Sequence, residues 1–483
     1  MPRSDASLAP VRLVSLREDT LVEQDPAGDA LTVVSPWGEL RIERPGQVVR
    51  ESLRRMGFGP VSLENVPGSA EHRRLAEVLE QLHHVLVHSV AAASGQGPLL
   101  SLVPVSGQAA LRLPAVDPGR PYRLSRFAAL AARPEGAVLE SPLALHRVLL
   151  HHPDAVALAA ALTRPATPER LAAALGLPAA LAAELVAHLT AAGTVVAGEP
   201  DPPGGPARFA EDSDPVLGLW AEADLLFHTR SRLGRHDGPY GAVFPHGARG
   251  PAEPAVKPPP AGPRIALHRP AMDRLLATDR RFTAVLEAER PAAEAGPERP
   301  PTAEQLGELL YRAARVRSLG VGEHGAADPY PVSDRPYPST GSLYELELYV
   351  VVGECPGLPR GIHHYDPLDH RLTLINRQEA DVVELLGTAQ IAAGLPAPPP
   401  VLITLTARFG RTSWIYRGMA YAATLRHVGV VQQTLSLVAT AMGLTPHPVA
   451  FGDIESSARA FGLDWRIESS VGEFVIGAGH RGR

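Results

Sequence analysis

Residues 246–263 read HGARGPAEPAVKPPPAGP. Proline carries no N–H and fixes its own φ, so a stretch this dense in it cannot continue a helix or a sheet ladder. A shorter break of the same kind, DPPGGP, lies at 201–206. A chain of 483 residues is already too long for one ordinary core, and these breaks say where it divides. The expected order is an α+β region over 1–140, a helical unit over 141–200, a linker over 201–263 and a last domain over 264–483.

Alternating apolar and polar residues at 11–14, 31–34 and 39–42 predict strands, with turn residues such as Asp25-Pro26-Ala27-Gly28 between them. Helical periodicity follows over 70–90. A second helical block runs from 142 to about 193 and closes on a short strand, Thr194-Val195-Val196-Ala197. Inside it, Thr167-Pro168-Glu169-Arg170 has the form of a helix start, with threonine as the cap and proline in the first turn. Two short helices and a strand resemble a winged helix. Its second helix, PAALAAEL at 178–185, offers no arginine or lysine to phosphate or guanine, so docking of a protein or peptide is expected rather than DNA binding. Within the linker, 225–237 (LLFHTRSRLGRHD) is a polar strip. It reads either as a solvated face or as a strip that meets anionic groups or a partner chain. The last section alternates helix and strand: helices at 303–317 and 420–442, strands at 346–352, 401–406 and 473–476, and a hairpin over 361–375.

Composition narrows the function. Hydrophobic residues make up 45% and charged residues 20%, with a net charge of −6 and no basic cluster, which argues against a general nucleic-acid surface. The opening MPRSDASLAP has no apolar core of the signal-peptide kind, and the long apolar stretch 171–196 is amphipathic and broken by Glu184 and His188. No membrane association is expected, and a cytoplasmic location follows by default. Cys355 is the only cysteine, which excludes internal disulfides, multi-thiolate zinc sites and redox dithiols. Lys257 is the only lysine. The pairs His83-His84, His151-His152 and His363-His364 lack evident companion ligands, so no metal site is expected. No glycine-rich phosphate loop of the nucleotide-binding kinds is present.

Four segments of the last section, taken in order, carry a family likeness: RPYPSTGSLY at 335–344, ARFGRTSWIY at 407–416, HVGVVQQTLSLVATAMGL at 427–444 and SSVGEFVIG at 469–477. Together they resemble the nitroreductase-like azoline dehydrogenases of the SagB and McbC type. The FHTRSR strip at 227–232 also fits that type. The resemblance implies an α+β fold whose C-terminal domain is a mainly antiparallel sheet wrapped by helices. It implies FMN at the interface of a homodimer, and oxidation of thiazoline or oxazoline rings to azoles in a ribosomally made precursor peptide. Partners so implied are that peptide and a cyclodehydratase or other maturation enzymes. Tyr416 is the implied acid/base residue. The flavin contacts so expected are Pro338, Ser339, Gly341, Ser342, Arg408, Arg411 and Gln433, with Arg290 for the phosphate. The chain departs from the family at two places. The family's Arg-Arg-Ser-x-Arg phosphate signature is reduced to ERPAAE at 289–294, and Ile415 stands where the family has lysine. Arg280, Arg281, Arg408, Arg411, Arg481 or Arg483 are the substitutes available for the phosphate. Without the lysine, Arg411 or Arg417 is the group available to lower the pKa of Tyr416. These departures support an alternative: a relative without catalysis, serving as a scaffold or peptide-binding subunit of the same maturation complex.

Overall fold

The computed structural model describes residues 9–26, 28–63, 69–93, 97–199, 206–288, 300–322, 329–449 and 451–478. The chain forms two compact units, Met1–Gly238 and Pro239–Arg483. The division expected at 263/264 therefore falls at 238/239, and the proline-rich stretch belongs to the second unit.

In the first unit, a six-stranded antiparallel sheet runs in the order Pro10–Leu16, Leu86–Ala92, Pro98–Pro104, His146–Leu150, Gly136–Glu140, Ala129–Arg133. A three-stranded sheet (Leu21–Gln24, Ala30–Ser35, Gly38–Glu43) packs with the helices Gln47–Phe58 and Ser69–Gln81 around a separate core. The helical unit consists of Pro153–Ala161, Pro168–Leu175 and Ala179–Ala191. Thr167 caps the second of these through the Arg170 N–H at 3.3 Å, and Gly176 ends it at φ 64°. Val195–Ala197 then pairs with Tyr122–Leu124. Leu158, Leu171 and Leu185 share one core with Leu100, Leu102 and Tyr122. The helices and the sheet are thus one body, and no boundary falls at 140.

The polar strip is no linker: 232–235 is solvated, while its two ends are tied down. Residues Glu222–Arg230 are helical, and Arg230 pairs with Glu140 at 2.9 Å. At its end Asp237 is nearly buried and is held by Arg17 and Arg147, each at 3.0 Å. Arg17 in turn lies 4.8 Å over the Trp37 ring.

Two histidines of this sheet are held neutral. Burial pushes His88 and His146 down to about 4, with nearby histidines adding to the effect. The unfolded chain binds these protons from about 6.5 downward. Between about pH 6.5 and pH 4 it therefore takes up protons that the folded unit refuses, and stability is lost as pH falls through that window. We expect the first unit to lose on the order of several kcal/mol across it, since a tenfold fall in proton affinity is worth about 1.4 kcal/mol before solvent screening. Hydrogen exchange of the whole chain, followed at 86–92 and 146–150, should show protection relative to the intrinsic exchange rate falling between pH 7 and pH 4.5. Unchanged protection would disprove it.

The second unit is built on a seven-stranded sheet, antiparallel throughout: Arg264–Ala266, Arg371–Asn376, Gly361–Asp366, Leu346–Val352, Val401–Arg408, Glu468–Ala478, Leu444–Val449. Strand alternation sorts its side chains. Leu346, Leu348, Val350, Ile403 and Phe474 pack toward the helices Ala303–Ala314 and Ala420–Ala441. Tyr349, Val351, Leu402 and Val475 pack toward Glu379–Ala393 and Ile454–Phe461. Thr302 and Gln305 close a capping box at the start of the first of these helices. No helix among the described residues is long and apolar enough to cross a membrane.

Residues 239–263 lie along this unit as a strap. Gly241–Ala242 pairs with Tyr416–Arg417, and the Pro263 carbonyl accepts from the Leu374 N–H at 2.9 Å. Gly262 sits so close to Leu374 that a Cβ there would fall 2.2 Å from its carbonyl oxygen.

Candidate functional site

At one end of the sheet the chain turns through 338–345 before entering the strand Leu346–Val352. Three residues of this turn have left-handed backbone: Gly341 (φ 64°), Ser342 (φ 54°) and Tyr344 (φ 47°). For the two that are not glycine this costs on the order of 1 kcal/mol or more each, so the surroundings must enforce it. Ser339 does so from within, accepting the Ser342 N–H on its carbonyl and the Tyr344 N–H on its hydroxyl, both at 3.1 Å. Tyr337 and Tyr344 anchor the turn edge to face, 5.2 Å apart, while Pro338, Thr340, Gly341 and Ser342 are exposed.

Tyr416 lies against this turn. A methyl group at Gly341 would fall 2.8 Å from the Tyr416 oxygen, so only glycine leaves room for the phenol. The structure therefore brings Gly341 and Tyr416 together. Burial, then the neighbouring Tyr330, raises the phenol above its ordinary value, so Tyr416 keeps its proton at neutral pH. The expectation that an arginine would activate Tyr416 fails here: Arg411 is committed elsewhere, and the phenol moves up rather than down. Ile415 is buried with Tyr330, Leu343 and Trp414, and among the described residues no basic side chain takes the place of the absent lysine in that apolar cluster.

Arg408 and Arg411 do not face the turn's exposed side. Arg411 is 1% exposed and donates to the carbonyls of Leu343 (2.7 and 3.1 Å), Glu253 (2.6 Å) and Pro331 (3.0 Å). Burial, and then Arg408, pushes its guanidinium down to about 10, which still leaves it charged near neutrality. Arg408 donates to Pro254 (2.9 Å) and Ala255 (3.4 Å) and pairs with Glu347 at 2.9 Å. Burial favours the neutral form of Glu347, but the His364 hydrogen bond at 3.1 Å and the charge of Arg408 prevail and hold it down at about 2. The family resemblance places both arginines at a cofactor; the structure commits them to backbone carbonyls. Gln433 lies on the exposed face of the helix Ala420–Ala441, whereas its neighbour Gln432 donates inward to the Glu473 carbonyl at 2.9 Å. Arg290, with the rest of 289–294, and Arg481 and Arg483 lie outside the described residues. Arg280 donates to the Thr440 carbonyl at 3.0 Å.

Two groups at the site leave little trace in the sequence. His427, on the long helix, accepts the Thr340 N–H on Nε2 at 2.9 Å, with the Thr340 hydroxyl 3.0 Å from the same nitrogen. A ring nitrogen that accepts an amide N–H carries no proton, so the proton is on Nδ1 and donates to Glu345 at 2.7 Å. Glu345 is fully buried. The one signal for the pair is a histidine on the packed side of an apolar helix. The second group is Lys257, which meets Glu468 (2.5 Å) and the Tyr349 hydroxyl (2.8 Å), with Thr406 also donating to Glu468 at 2.7 Å. Among the described residues no cluster of histidine, cysteine and carboxylate side chains could hold a metal.

Two outcomes follow. Arg411→Met leaves four buried acceptor bonds unmade and should destabilise the chain by about 3 kcal/mol or more. A melting midpoint equal to the parent's would show that those bonds hold nothing. Gly341→Ala strains the backbone and displaces the phenol, so tetranitromethane should nitrate Tyr416 faster, as read by peptide mapping. An unchanged nitration rate would separate the two residues.

Comparison with known proteins gives two family matches. Residues 122–237 match the cyanobactin oxidase ThcOx model, and residues 296–478 match the nitroreductase family. A nitroreductase-like protein of Methanocaldococcus jannaschii is 32% identical over 107 residues, 22% of this chain and 53% of that protein. The chain thus spans about half the length of this curated relative. Among solved structures, a nitroreductase-like protein of Anabaena variabilis overlaps at 18% identity and TM-score 0.36, covering 52% of this chain and 45% of that one. One from Ralstonia eutropha does so at 20% and 0.35, covering 48% and 100%. The Escherichia coli McbBCD microcin synthetase complex with truncated pro-MccB17 bound overlaps at 21% and 0.31, covering 38% and 69%.

Proposed function

We propose that this chain, a nitroreductase-superfamily protein of the SagB and McbC type with a ThcOx-type domain ahead of its nitroreductase domain, oxidises azoline rings of a ribosomally made peptide to azoles with FMN as its cofactor. The observation that carries this reading is Tyr416 seated against Gly341 on an exposed, left-handed turn within the nitroreductase-matching segment. Such a turn suits a flavin edge, since small residues let backbone donors and acceptors come close to it. Pro338, Ser339, Gly341 and Ser342 would hold the ring edge, Gln433 would approach from the long helix, and Arg290 would meet the phosphate. Arg408 and Arg411 act through the frame they brace.

FMN, when bound, supplies the two-electron acceptor. The chain's share is position, dryness and proton handling. Tyr416, protonated at neutral pH, donates a hydrogen bond to the substrate rather than taking a proton from it. The unit Met1–Gly238 would bind the precursor peptide, or a cyclodehydratase or other maturation enzyme. A second copy of the chain would complete the flavin site. One observation favours a catalytically silent scaffold instead: Ile415 is buried among aromatic rings, with no lysine beside Tyr416.

Purified chain titrated with FMN decides between the two. Flavin bands near about 375 and 450 nm at one per chain, with oxidation of a thiazoline-bearing peptide, support the enzyme. In that case Tyr416→Phe should lower turnover by about a hundredfold or more and leave the bands in place. A colourless chain that takes up no FMN would leave the scaffold.

A further inference from the structure

Thr340, His427 and Glu345 form a file from solvent to the interior. Thr340 is exposed, its hydroxyl stands 3.0 Å from His427 Nε2 in a part-buried contact, and His427 Nδ1 stands 2.7 Å from Glu345. The second oxygen of Glu345 is buried without a hydrogen-bond partner, so among the described residues the carboxylate's one partner is the imidazole. Thr340 is the chain neighbour of Gly341, against which the Tyr416 hydroxyl lies. The azoline reading needs a base at this turn. Tyr416 holds its proton and Ile415 offers none, whereas the file that starts on the turn itself, at Thr340, ends in a carboxylate.

We propose that Thr340, His427 and Glu345 are the proton acceptor of this site, with Thr340 the catalytic residue and the other two its positioning residues. The proposal rests on the azoline-oxidation reading. The ring's α-proton would pass to Thr340 Oγ1 as the hydroxyl's own proton passes to His427 Nε2, and the hydride from the adjacent carbon would leave to the two-electron acceptor that bound FMN would supply. The chain would be left with the azole and an imidazolium against the Glu345 carboxylate, and the imidazolium would return its proton to water. Because Nε2 also accepts the Thr340 N–H, taking up the proton releases that amide. Proton transfer and the hold on the turn are therefore coupled.

The test separates the hydroxyl from the backbone. In the full chain, Thr340→Val keeps the amide bond to His427 and removes the hydroxyl, while Thr340→Ser keeps both. With FMN and a synthetic peptide carrying one thiazoline, we expect Thr340→Val to lose about a hundredfold or more in turnover at unchanged FMN affinity, and Thr340→Ser to stay within about tenfold of the parent. Equal turnover in Thr340→Val, or equal loss in both variants, overturns the relay. Nitrogen-15 NMR of the chain without flavin gives an independent reading. His427 protonated on Nδ1 supports the relay, and protonation on Nε2 overturns it. Failure of the parent chain to bind FMN removes the azoline reading and the relay with it, whereas a parent that binds FMN and oxidises the peptide, matched by an equally active Thr340→Val, removes the relay alone.

Discussion

A guanidinium taken out of water seeks acceptors for five N–H groups, and three buried arginines of the second unit find many of theirs on backbone carbonyls. The Nε–H groups of Arg335 and Arg408 stay without a hydrogen-bond partner among the described residues. Arg335, Arg408 and Arg411 are buried side by side at one end of the sheet, and the carbonyls of Glu253, Pro254 and Ala255 on the strap receive them. The match is chemical. A proline-rich strand in extended form has carbonyls that no helix or ladder claims, and arginine is the side chain with the most donors to offer. Trp414 adds one more donor, to Gly250 at 3.0 Å. The same arginines hold the carbonyls of Leu343 and Leu346, at the turn that carries Gly341. The strap and the left-handed turn are thus braced by one set of charges, with Glu347 as buried counter-charge.

This explains why Arg408 and Arg411 are not free to meet a cofactor phosphate. Both lie near the turn in space but donate to carbonyls of the strap. The chemistry left at the turn is neutral or paired: a phenol that keeps its proton, a hydroxyl, and an imidazole tied to a carboxylate. Such a site can accept hydrogen bonds and pass one proton inward, with its one negative charge, on Glu345, held in the interior.

Much of the fold was legible because periodicity and caps are local. The strand 346–352, the long helix from 420, and the Thr167 cap lie where alternation, helical spacing and cap chemistry put them. Three features were not legible, each for a different physical reason. Helical spacing runs on through 70–90, yet helix stops at Gln81 and Leu86–Ala92 is a central strand, since a strand buried on both faces shows no period. Residues 246–263 resemble a linker because proline reports the lack of donors and says nothing of the acceptors it leaves. The Thr340–His427–Glu345 file was hidden because its members are far apart in sequence and meet only once the helix packs on the sheet. At the site, Gly341 and Tyr416 were legible from the family resemblance. The fates of Arg408 and Arg411 were not, since the burial of a guanidinium depends on carbonyls distant in sequence, from 68 residues away at Leu343 to 158 at Glu253.

Lys257 gives the strap an unusual chemical property. It is the only lysine in the chain, and its ammonium is occupied by Glu468 and Tyr349. Apart from the chain's N-terminus, an amine-directed acylating reagent has this one nitrogen to attack, and it is part-buried and held by two hydrogen bonds. The speed of acylation at Lys257 therefore reads how firmly those two contacts hold the strap's one amine. Ligands that tighten the sheet's end would slow it, and anything that frees the buried arginines would let it run.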